Sequence, residues 1–72
     1  MHFEPLIKTI KERRESLEVT QEMLANLSGV GLRTVKQFES GKGNPTLQTL
    51  RKLSDTLGLD IELKVKNKRT NP

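Results

Sequence analysis

The chain has 72 residues, with 13 Lys and Arg against 9 Asp and Glu for a net charge of +4, and it contains no cysteine. That length makes one small domain, which buries only about 60% of its unfolded surface and gains from oligomerisation; the lack of cysteine excludes disulfides, thiolate metal sites and a cysteine nucleophile. No apolar run approaches the ~18 residues of a membrane span, and the opening MHFEPLIKTIKERRE is too polar for a secretory signal, so a cytoplasmic protein is expected. The single histidine, His2, sits at the terminus, and neither catalysis nor a cofactor or metal is expected.

Pro5 suits a first helical position, and Leu6, Ile7, Ile10 and Leu17 recur at helical spacing. They predict a first helix over about 5–16 whose other face, with Lys8, Lys11, Glu12 and Glu15, is solvated. Thr20 can cap a second helix over about 21–27, where Glu22 puts negative charge in the positive first turn and Leu24, Ala25 and Leu27 form the apolar stripe. Gly29 can adopt the left-handed conformation that ends it. Gly31 permits a new start, and Val35 and Phe38 mark the inner face of a third helix over about 32–39. Two short helices joined this tightly cross steeply, which in a helix-turn-helix leaves the second free to enter a DNA major groove; an ordinary helical hairpin would carry the same turn.

The segment SGKGNP, residues 40–45, is a loop. Thr46 then caps a fourth helix with Leu47, Leu50, Leu53 and Leu57 as its buried stripe, and Gly58 stands at its C-terminal cap. Beyond Gly58 the periodicity becomes strict alternation: Leu59, Ile61, Leu63 and Val65 are apolar while Asp60, Glu62, Lys64 and Lys66 are polar. This predicts a half-buried strand over 59–66. The remainder, NKRTNP, is a short basic tail expected to be disordered, so residues 1–66 form the domain and 67–72 the tail.

Charge is unevenly placed. Residues 1–30 are slightly acidic, whereas Arg33, Lys36, Lys42, Arg51 and Lys52 face Glu39 as the single acid between residues 31 and 52. A charge run is ordinarily just a solvated face, but on a helix predicted to face a groove it is the footprint of a phosphate-binding surface.

From Arg13 to Leu59 the chain resembles the phage-repressor-like helix-turn-helix family of the xenobiotic-response-element type. The matching motifs are Thr20-Gln21, Leu24-Ala25, Gly29-Val30, Glu39-Ser40-Gly41-Lys42, Asn44-Pro45 and the Leu-rich helix from Leu47 to Leu57. The resemblance implies a mainly α, lambda-repressor-like fold, and the appended strand makes the chain most similar to HipB-like antitoxins, which bind DNA and a kinase-like toxin (HipA-like) encoded beside them. It further implies base contacts by Leu32, Arg33, Lys36 and Gln37, and phosphate contacts by Gln21, Thr34, Lys42 and Thr46. Arg33 suits guanine and Gln37 adenine; Leu32, in place of the family's usual polar residue, could pack on a thymine methyl or fold back towards Val35. Arg14 and Glu39 match a family pair that bridges the first and third helices.

A lone strand leaves backbone groups unpaired, so its mate is expected from a second chain: residues 59–66 of two protomers pairing antiparallel, with Leu59, Ile61, Leu63 and Val65 as a lid on the helices. The expected function is therefore a homodimeric repressor of palindromic double-stranded DNA, autoregulating as the antitoxin of a toxin-antitoxin pair. The alternatives are a stand-alone repressor and a protein-interaction adaptor that does not bind DNA. Met23 and Leu27, four residues apart on the second helix, are either an anchor for a protein partner or ordinary surface hydrophobics.

Overall fold

Apolar residues at helical spacing, punctuated by two threonine caps, give four helices among the described residues: α1 (Glu4–Ser16), α2 (Gln21–Ser28), α3 (Leu32–Glu39) and α4 (Leu47–Thr56). The computed structural model describes residues 3–65. Thr20 accepts the Met23 N–H at 3.0 Å and Thr46 accepts that of Thr49 at 3.0 Å, so each hydroxyl satisfies one of the donors that a helix start leaves free. Gly29 ends α2 at φ 76°, a left-handed conformation open to glycine at no steric cost, and its N–H returns to the Ala25 carbonyl.

α1 and α4 end by the same device. The N–H of Val19 bonds the Arg14 carbonyl and that of Glu18 the Glu15 carbonyl; Leu59 and Gly58 repeat the pattern on Ser54 and Asp55. Both are Schellman turns, which need one residue at positive φ. At α4 this is Gly58 (φ 72°); at α1 it is Glu18 (φ 58°), an L-residue in a conformation glycine would occupy more easily.

The helices enclose one core of Ile10, Leu24, Ala25, Val30, Val35, Phe38, Leu53 and Leu57, with Leu6, Ile7, Val19, Leu32, Leu50 and Leu59 packed around it. Leu24, Val35, Leu53 and Leu57 are fully enclosed, each contributing about 1.5–3 kcal/mol from burial. Three leucines assigned to apolar stripes lie outside, Leu27 in the last turn of α2 among them. Leu17 follows the last turn of α1 and is half-exposed, while Leu47, the first residue of α4, is 70% exposed. Helical spacing places a residue on a face but cannot say whether the core extends as far as the helix end.

The predicted strand requires correction. No strand occurs among the described residues, and residues 59–65 leave the turn at Gly58 without secondary structure. Leu59 packs against the core and Ile61 stays half-exposed, but Leu63 and Val65 are 98% and 94% exposed, so in the single chain they do not form a lid. The physical reason is that a strand exists through its ladder of hydrogen bonds, and the described residues supply no second strand to build one. The tail over 67–72 lies outside the described residues, as does Lys66 at the end of the expected strand.

Candidate nucleic-acid interface

α3 has two unlike faces. Val35 and Phe38 point into the core and Leu32 packs against its edge, whereas Arg33, Lys36 and Gln37, at i, i+3 and i+4, are exposed together. Leu32 therefore sits partly in the core, as the fold-back alternative anticipates. Among the described residues neither Arg33, Lys36 nor Lys42 is ion-paired, so their charges face solvent. Thr34, Gln37 and Lys42 line one shallow depression of about 50 Å³, together with Phe38 and the loop residues Gly43, Asn44 and Pro45. The Lys42 N–H bonds the Gln37 carbonyl at 2.9 Å, which folds the loop back onto the end of α3 and keeps Lys42 beside it.

Thr46 comes directly after this loop. Its hydroxyl is used internally, accepting from the Thr49 N–H and donating to the Thr49 Oγ1 at 3.0 Å, so any anion at this point meets the backbone N–H groups of the first turn of α4. Gln21 begins α2 in the same relation to Thr20. Its side chain is half-buried and turned inward, where Nε2 donates to Glu39 Oε1 at 3.0 Å. Met23 and Leu27 are 45% and 66% exposed on α2, and so are available on the surface.

Beneath this surface the Arg14–Glu39 pair is buried. Arg14 Nε donates to Glu39 Oε2 at 2.7 Å and Nη2 to Oε1 at 3.0 Å, while Nη1 donates to the Val19 carbonyl at 2.7 Å. The two-pronged bond to Glu39 pushes the guanidinium further up from its already high pKa, against the lowering effect of burial. The pair ties α1, the turn after it and the C-terminal end of α3 into one frame. Sequence motifs point to the Arg14–Glu39 pair and to Gln21 as a phosphate contact, but not to Gln21 as a third member beside the pair, nor to Arg13, whose Nε donates to the Leu57 carbonyl at 2.9 Å. Neither has a periodic signature, because each bond joins a polar side chain to a group distant in sequence.

These features define a helix-turn-helix protein, and the family model for that motif matches residues 10–64; the chain belongs to this family. Among curated proteins it is similar to the cryptic phage CTXphi transcriptional repressor RstR of Vibrio cholerae, 39% identical over 74% of this chain and 51% of that protein. It is also similar to an uncharacterized HTH-type transcriptional regulator of Haemophilus influenzae, 40% identical over 86% of this chain and 66% of the relative. A second Vibrio cholerae RstR is 36% identical over 86% of this chain and 56% of its own length. The chain thus spans between about half and two thirds of the length of these relatives. No solved structure matches significantly. The matching family is that of the helix-turn-helix, and the relatives are named as transcriptional repressors or a transcriptional regulator. Among the described residues no helix is long and apolar enough to cross a membrane.

Proposed function

We propose that the protein represses transcription as a homodimer on a palindromic duplex, with α3 in the major groove. The observation that carries this reading is the divided surface of α3, whose inner face is locked into the core while Arg33, Lys36 and Gln37 stand free and unneutralised on the outer one. Arg33 reads guanine, Gln37 adenine, and Lys36 the edge beside them; Leu32 offers only the part of its side chain left outside the core. Thr34 and Lys42 meet phosphates next to them, and the starts of α2 at Gln21 and of α4 at Thr46 present backbone N–H groups to the flanking strand. The two-fold is assigned to the segment after Leu59, where Leu63 and Val65 are exposed in the single chain and a second copy can cover them.

The test is a selection of duplexes from a random-sequence pool, then binding to the recovered duplex and to its base-substituted versions. Arg33→Ala is expected to lose about 1–3 kcal/mol of discrimination at one base pair, while Lys42→Ala weakens all sequences alike and flattens the salt dependence. An Arg33→Ala protein that keeps full preference but loses general affinity reverses the two roles.

The exposed Met23–Leu27 pair favours a second reading, in which the same repressor is the antitoxin of a HipB-like pair and α2 anchors a HipA-like kinase toxin. Sequencing the neighbouring reading frame tests it: one that encodes a kinase-like protein is the outcome this reading expects, and one that does not returns the protein to the stand-alone form. The names of the relatives, which speak of repressors, support the stand-alone form.

A further inference from the structure

The pose of α3 is not set by packing alone. Its last residue, Glu39, is buried, and its carboxylate collects three hydrogen bonds from two other helices: two from Arg14 on α1 and one from Gln21 on α2. The chemistry fixes which way the Gln21 carboxamide points, since an amide oxygen turned towards a carboxylate would repel it and only Nε2 can donate. Of these three residues Gln21 is the one that also reaches the outer surface. As the first residue of α2 it carries a backbone N–H that the Thr20 cap, spent on Met23, leaves for an external acceptor.

We propose that Gln21 is a positioning residue for DNA reading, acting through Glu39 rather than as a side-chain ligand of phosphate. Its backbone is where α2 meets the sugar-phosphate strand, and its side chain is where α2 grips the end of α3. One residue therefore connects the height at which the protein sits on the strand to the angle at which Arg33, Lys36 and Gln37 meet the bases. A neutral donor is the chemistry this role needs. A carboxylate at this position would repel Glu39, and an ammonium would compete with Arg14 for it. Gln21 accordingly contributes to discrimination between sequences and little to general affinity. This rests on α3 being the helix that enters the groove.

The experiment uses the full chain and two variants, Gln21→Ala and Gln21→Met, the second filling similar space without a hydrogen bond. Each is titrated with the duplex recovered by selection from a random pool and with a random-sequence duplex of equal length, at a temperature where thermal unfolding finds all three proteins folded. Affinity for the selected duplex is expected to fall about tenfold in both variants, with less than about threefold change on the random one. A merely structural Gln21 would lower the unfolding temperature and leave the ratio of the two affinities unchanged. Equal losses on both duplexes make the side chain a direct phosphate ligand and overturn the proposal, as does an unchanged affinity for the selected duplex. A selection in which the unmodified protein recovers no preferred duplex overturns the groove reading as well, so the two failures are distinct.

Discussion

The chain leaves α1 and α4 through the same Schellman turn, yet the two exits lead to different surroundings. After α1, Val19 packs against the core, its carbonyl takes a bond from Arg14, and Thr20 starts the next helix. After α4, Leu59 makes the same inward move, but Leu63 and Val65 then stand almost wholly in solvent. Local chemistry is nearly identical at the two exits; the contrast lies in whether later residues supply partners. Apolar alternation thus states a demand for burial without saying which molecule meets it.

The contrast is broken most severely by removing the partner at the first exit. Arg14→Ala strands the buried Glu39 carboxylate and is expected to destabilise the fold by about 3–5 kcal/mol in urea unfolding, a large share of the stability of so small a domain. Replacing both members, Arg14→Met with Glu39→Leu, should cost less than Arg14→Ala alone, because no charge is then left unpaired and only the Gln21 amide and the Val19 carbonyl lose a partner. A mild effect of Arg14→Ala alone would mean that water reaches Glu39 and that this exit is less self-sufficient than its geometry implies.

A smaller effect is expected at the second exit. Leu63→Glu combined with Val65→Glu touches nothing in the single chain, so it should leave monomer stability unchanged while weakening self-association at least about tenfold, roughly 1.4 kcal/mol, in sedimentation. Association that survives the double substitution would place the two-fold contact elsewhere, and the two exits would no longer differ in the way proposed. The smallest effects come from the turns themselves. Gly58→Ala forces an L-residue to positive φ and should cost about 1 kcal/mol, its added Cβ meeting only the end of Arg13 at 3.5 Å. Glu18→Gly relieves the same strain and should gain about 0.5–1 kcal/mol, seen as a thermal midpoint a few degrees higher. If the two substitutions failed to act in opposite directions, the turns would not be equivalent.

The same physics decides which features are legible in the sequence. Thr20, Gly29, Thr46 and Gly58 announce helix ends because each residue type performs there a local task that few others can. Glu18 gives no such signal: the left-handed position after α1 goes with the packing of Val19 on the core and the Arg14 bond to its carbonyl, not with a preference of glutamate itself. The outer face of α3 is legible from spacing and charge, and so is the Arg14–Glu39 pair through its motif. The inward turn of Gln21 is not, since a glutamine at a helix start looks equally suited to a phosphate and to a buried carboxylate. Leu63 and Val65 mislead for a further reason, namely that alternation gives the pattern of a strand, whereas a strand also needs a second one to pair with and none occurs among the described residues.

Arg13 has a consequence of another kind. Its bond to the Leu57 carbonyl joins residues 44 positions apart, linking the first helix to the last. Bonds of such separation carry a large loop-closure cost and are made only when the intervening helices are already in place. The final turn of α4 is therefore tied to the last turn of α1, and the amides of Leu57, Gly58 and Leu59 should exchange with solvent on a timescale close to those of that turn. The direction in which the chain sets out beyond Leu59 is in this sense written near its beginning.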